Sequence, residues 1–234
     1  VKDAAKQRKT KLYDHLKRAI MTLELRPGAD LDETQLCDAF ELSRTPLREV
    51  LRQLSGEGYI ELRENRGAWV SEMSYTTLRD FFLAAPMIYG AILRLAATNA
   101  TPAQVIALKE VQEEFKTSLT NADAAARALN NNRFHEITGE MANNVYLLPS
   151  FRRLLIDHAR IGMTFYRPNN TDMKENLSEA SNQHDAIIEA IEAGDENAAA
   201  QLAIDHWNLS RDQIEMFVTP SSLEIPLGSV SMKT

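Results

Sequence analysis

The stretch "FELSRTPLREVLRQLSGEGYIELRENRGAWV", residues 40–70, decides the fold. It sets Arg44, Arg48 and Arg52 four residues apart, while Leu47, Val50, Leu51 and Leu54 recur at helical spacing. Such a pattern predicts one helix with an apolar stripe to bury and an arginine stripe beside it. Ser43 or Thr45 can cap its start, and Pro46 suits its first turn. Gly56 and Gly58 end it. "YIELR" then reads as a strand, "ENRG" as a tight turn and "AWVSE" as the returning strand.

Upstream, Leu12, Leu16, Ala19, Ile20 and Leu23 predict a first helix over about 8–25, stopped by "RPG" at 26–28. Asp32 can cap a second helix running to about Phe40, and Gln35, three residues on, completes a capping-box-like pattern. Three helices and a hairpin give the order of a winged helix-turn-helix, whose third helix enters the major groove. Arginine suits that place, because its planar fork bonds guanine O6 and N7 together or grips phosphate. Arg66 and Gly67 fall at the hairpin tip, where a small residue lets the chain approach the sugar-phosphate backbone. A charge stripe alone can equally be a solvated face, so the whole order of elements carries the reading.

Net charge is -7, but it is uneven. Residues 1–72 hold 13 Lys/Arg and 13 Asp/Glu, so the acidity lies entirely in 73–234. That asymmetry implies two units with different partners. No apolar run approaches the roughly 20 residues of a membrane span, and no secretion signal is visible. The lone cysteine, Cys37, cannot form an internal disulfide, which suits a reducing cytoplasm. With 234 residues there is enough chain to bury a real core.

Beyond the polar "SEMSYTT", residues 76–217 read as nearly continuous helix, over about 75–99, 102–119, 122–143, 148–166, 173–193 and 195–217. The expected fold class is therefore mainly α: an N-terminal winged helix-turn-helix with a small β-hairpin over 1–72, and an all-α bundle over 73–219. Residues 220–234 read as a tail. Asn131 and His135 share one helical face, while His184 and His206 fall within apolar series. Histidines pointing into a bundle are either hydrogen-bonded core residues or metal ligands, and three are the usual minimum for zinc. Spacing alone leaves both open.

Residues 10–72 closely resemble the DNA-binding domain of the GntR family of bacterial transcription regulators. The resemblance rests on "RPG" followed by a leucine, "SRTPLREVLRQL", "EGYI" and "RGAWV". It implies that Arg44, Thr45 and Arg48 contact operator DNA and that Gly67 is the wing-tip glycine. Ser43, Arg52 and Arg66 complete the expected interface. Thr34 stands where some members carry a further basic residue. "NNRFHEIT", "LAATNATPAQVIAL" and "QHDAIIEAIEAGDENAAAQLAIDHW" resemble the all-helical FCD effector domain of the FadR-type branch. Metal-binding members place an Asp four residues before the first of three histidines. That maps onto Asn131, His135, His184 and His206, with an amide in place of the carboxylate. Pro86 and Gly90 replace an Arg and a Glu common in the first effector-domain helix, and invite a kink. Arg94, Arg133, His158 and Arg160 are the remaining candidates for effector contact.

The resemblance implies a cytoplasmic homodimeric regulator, a repressor that binds double-stranded operator DNA, with no membrane partner. Its effector would be a small molecule, such as a carboxylate, held in the bundle with a divalent metal (zinc, nickel or manganese) and no organic cofactor. It is expected not to be an enzyme. The alternatives are a metal-dependent enzyme built on the three histidines, or an architectural DNA-binding protein without an effector.

Overall fold

The computed structural model describes residues 2–64, 66–121, 123–168 and 170–218; the expected tail at 220–234 lies outside them. Helix α1 spans Lys2–Met21, earlier at both ends than expected. It turns its apolar stripe inward, with Leu12, Leu16 and Ile20 fully buried. Helix α2, Glu33–Phe40, begins where Asp32 accepts from the backbone N–H of Thr34 and Gln35. Helix α3, Arg44–Glu57, has Ser43 at its N-cap position, without a side-chain cap bond, and buries Leu47, Val50, Leu51 and Leu54. Gly56 stays inside α3; Gly58, at φ 93°, is the residue that ends it.

The sheet has one strand more than the sequence suggested. The two-residue strand β1, Asp30–Leu31, joins β2, Ile60–Arg63, and β3, Gly67–Val70, in the order β1-β3-β2, all antiparallel. Two residues are too short for any visible alternation, which is why β1 escaped notice. Leu31 pairs with Ala68, and both are buried under the helices.

Among the described residues six helices follow: α4 (Tyr75–Asn99), α5 (Pro102–Thr120), α6 (Ala124–Ala142), α7 (Leu147–Phe165), α8 (Thr171–Ala193) and α9 (Glu196–Val218). Their starts are set locally. Thr101 and Gln104 form a full capping box with Pro102 at the first turn, and Asp123 and Asn170 cap α6 and α8. Helix α4 continues through Pro86 as one element. It is also long and apolar enough to cross a membrane by length and composition, at mean hydropathy 1.6. Sequence reading found no such run. Arg94 alone interrupts residues 81–99, and helical continuity joins what lies on either side. In the fold, α4 packs against α6, α7, α8 and α9, burying Phe81, Ala85, Tyr89, Ile92, Leu93 and Ala96.

Helix α7 belongs to two cores. Phe151, Leu155 and Ile161 pack with α4, α6 and α8, while Ile156 and Ala159 pack with Leu12, Leu16, Leu47, Leu51 and Leu54. The chain thus forms a winged helix-turn-helix followed by an all-α bundle, with α7 as the surface on which the first is seated. Polar bonds reinforce that seat. Arg160 donates to the Ser71 carbonyl at 2.6 Å and to Asp157 at 3.0 Å, and Lys17 pairs with Glu136 at 2.9 Å.

Candidate nucleic-acid interface and metal centre

The first candidate surface lies on the outer side of α3. Arg44, Arg48 and Arg52 line one groove with Leu62, Arg63 and Gly67 of the hairpin. The groove is about 590 Å³. Ser43, Thr45 and Arg66 are also exposed. Gly67 adopts φ 80° with nothing within 4 Å of where a Cβ would stand, so the turn needs glycine for its backbone and leaves room outside. Trp69 Nε1 donates to the Arg66 carbonyl and ties the turn down.

Two groups on this face carried no sequence signal. Glu33, in the first turn of α2, accepts from Arg48 Nε at 3.3 Å, leaving the terminal nitrogens of Arg48 directed elsewhere. Arg63 stacks on Trp69 with its guanidinium carbon 4.8 Å from the ring centre, while bonding Glu61 and Glu72. Neither partnership is local in sequence, except that of Arg63 with Glu61.

The second candidate is inside the bundle. His135 on α6, His184 on α8 and His206 on α9 bring one ring nitrogen each to within 4.8 Å of one another, and all are buried. Asn131, one turn before His135, is 3% exposed. The orientation of two rings is fixed by amides. Gln112 Nε2 donates to the Ser181 carbonyl and to Asp185, so its oxygen faces His184 Nδ1 at 3.0 Å. His184 Nδ1 must therefore carry the proton, and its Nε2 keeps a lone pair. Gln183 Oε1 lies 3.0 Å from His206 Nδ1. Phe134 stacks flat on His184 at 3.9 Å.

Burial, then the neighbouring rings, holds His135 and His184 well below the ordinary histidine value. The same causes push His206 down to about 3. His135 Nε2 and His184 Nε2 are buried without a hydrogen-bond partner among the described residues. Buried polar atoms are normally satisfied, so two unpartnered ring nitrogens beside a third imidazole fit a cation. Neutral imidazoles oriented by second partners are also what borderline metals such as zinc take, with bonds of about 2.0–2.1 Å that would draw the nitrogens closer.

Of the other effector candidates, His158 joins this cluster. Its ring lies 5.2 Å from that of His135, and Nδ1 meets the Tyr89 hydroxyl at 2.5 Å. Burial lowers its pKa to about 4. Arg94 is at the surface with Asn197 and Glu196, and Arg133 with Glu136 and Glu140. Arg160 is 1% exposed; its two terminal nitrogens bond Asp157 and Ser71, while its buried Nε has no hydrogen-bond partner among the described residues. Tyr89, Gln112 and Gln183 were missed, since only the fold brings them to the histidines.

Two family descriptions match the two halves of the chain. The family described as "Bacterial regulatory proteins, gntR family" matches residues 8–70, and "FCD domain" matches residues 86–209. "Uncharacterized HTH-type transcriptional regulator YdhC" of Bacillus subtilis (strain 168) is 23% identical over 197 residues, covering 84% of this chain and 86% of that one. "Probable D-xylose utilization operon transcriptional repressor" of Paenarthrobacter nicotinovorans is 28% identical over 182 residues, 76% of each. The solved structure of E. coli McbR/YncC shares the fold at TM-score 0.75 and 18% identity, over 90% of this chain and 98% of that one.

Proposed function

Because the chain belongs to the GntR family of bacterial regulatory proteins, in the branch that carries an FCD domain, we propose that it is an operator-binding repressor. A small molecule bound in its helical bundle would control it. Residues 1–72 bind DNA and 73–219 bind the effector and pair two copies in the cytoplasm. The carrying observation is the convergence of Arg44, Arg48, Arg52 and Gly67 on one groove. One short recognition helix reads few base pairs, so a two-fold dimer on an inverted repeat doubles the site.

Asn131, His135, His184 and His206 would hold a divalent metal, which supplies a positive centre for an acidic effector. The chain's own part is to keep the imidazoles neutral by burial and to aim two of them through Gln112 and Gln183. Glu136, beside His135 in sequence, pairs with Lys17 of α1, so it is not the general base that a metal-dependent hydrolase would want. Helix α7 gives the route from effector to DNA. His158 stands among the cluster, while its neighbours Asp157 and Arg160 hold the end of β3 at Ser71. An effector that prefers a different setting of α7 weakens operator binding by that preference and no more.

Operator selection followed by binding measurements tests the DNA surface. Arg44→Ala and Arg48→Ala should each weaken binding to the selected site by about 1–3 kcal/mol if they make bidentate base contacts. Wild-type affinity in both variants would reject the docking. Calorimetric titration tests the metal. Metal-stripped wild type should take up zinc, nickel or manganese, and His184→Ala should not; equal uptake would make the histidines core residues.

A further inference from the structure

Helix α4 carries more apolar surface than its own bundle buries. Less than half of its apolar run is buried, and Leu83 and Met87 stand 65% and 71% exposed. Single apolar residues scattered over a surface are ordinary. These two lie one turn apart on one helix face.

The residues around them form a stripe with matched ends. Positions seven apart are about two turns apart, so Asp80, Met87 and Arg94 fall in one line along the helix. Leu83 and Ala91 lie four residues to either side of Met87, and Thr76 and Thr98 lie eleven. Turned end for end about Met87, the stripe sets threonine on threonine, leucine on alanine and Asp80 on Arg94. The charged match occurs twice, once at each end. Both charged side chains are at the surface, 61% and 47% exposed. Their partners within the chain are of the weak, exposed kind. Asp80 accepts from its sequence neighbour Arg79 at 3.1 Å, and Arg94 donates to Asn197 while standing 4.0 Å from Glu196. Arg79 and Glu196 thus make a second complementary couple at the same two ends.

We propose, on the reading of this chain as a two-fold dimer, that the second copy lays its own α4 antiparallel along this stripe, with Met87 at the two-fold axis. A two-fold contact uses the same patch on both copies and must be complementary to itself, as this stripe is. Asp80 and Arg94 each lie about 10 Å along the helix from the axis. Helices crossing at about 20° are still side by side at that distance. On its inner side α4 carries Tyr89, whose ring is 4.8 Å from Phe151 of α7. Pairing through α4 therefore sets where α7, and the winged helix seated on it, stands in each half of the dimer.

The test measures dimer dissociation of the full chain by sedimentation velocity, for wild type, Asp80→Arg, Arg94→Asp and the double variant. Each single reversal sets like charges opposite one another at both ends, and should weaken the dimer by about tenfold or more. The double variant restores opposite charges and should recover most of that loss. In a Cys37→Ser background, Met87→Cys should give a disulfide-linked dimer under mild oxidation. Leu83→Cys should not, because the two copies of that position would lie about 12 Å apart along the helices. Circular dichroism checks that each variant is folded. Single variants as dimeric as wild type, or a double variant no better than the singles, would overturn the inference and leave a dimer formed by another face. Crosslinking at Leu83 and not at Met87 would do the same. A wild type that stays monomeric, with or without operator DNA, would overturn the dimer reading and the inference with it. A monomer that floats with phospholipid vesicles would assign the stripe to a membrane surface, with the same consequence.

Discussion

Metal-stripped protein should lose stability steeply as pH falls from about 6.5 toward 4. Four histidines are involved: His135 and His184, held well below the ordinary value, His158 at about 4 and His206 at about 3. Above about 6.5 these groups are neutral in both folded and unfolded chains and contribute no pH dependence. Below it the unfolded chain takes up protons that the folded chain refuses, so the unfolded state binds more and stability drops with pH. Each refused proton is worth about 1.4 kcal/mol per pH unit. His158 ceases to contribute near pH 4, where the folded form titrates too. All four shifts run in the same direction, so the loss is larger than a single buried histidine would give. Urea unfolding at stepped pH would measure it. A flat profile between pH 6.5 and 5 would mean that the histidines are hydrated, and that the cluster is not the dry site described here.

The second large effect concerns the seat of the winged helix. Arg160→Met should cost about 3 kcal/mol, the lower end for breaking a buried ion pair. Asp157, 4% exposed, keeps Arg153 at 2.9 Å as a second partner, which limits the loss. The Ser71 carbonyl loses its guanidinium donor, which adds to it. Removing both charges with Asp157→Leu in addition should recover part of the stability, because no buried charge is then stranded. Denaturant titration of the two variants decides this. If the double variant is less stable than Arg160→Met, the bond to Ser71 and the packing of the arginine stem matter more than the ion pair. The same variants test α7 as the route of control: operator affinity should survive better than its response to effector.

Much of this molecule was written locally. The spacing of Leu47, Val50, Leu51 and Leu54, the cap at Asp32, the proline after Thr101 and the glycines at 58 and 194 mark helix ends and buried faces by themselves. Each is a short-range effect of backbone geometry and apolar periodicity, and so can be read from neighbours in sequence. Asn131 and His135 were legible as one face for the same reason. That His184 and His206 complete a triangle with His135 needed the resemblance to a known family, since apolar periodicity says only that they point inward.

The tertiary structure alone decided what the arginines and amides do. Arg160 reads in sequence as one more candidate for an acidic ligand. Besides Asp157, its partner is a backbone carbonyl 89 residues away, and no side-chain pattern announces a carbonyl. Gln112 meets His184 across 72 residues, and Tyr89 meets His158 across 69. Such pairs arise because helices laid side by side bring together residues with no common period. Sequence thus determined which faces are buried and where helices begin and end. The packing of α7 between two cores determined which buried polar groups hold the winged helix in place and which remain to bind something else.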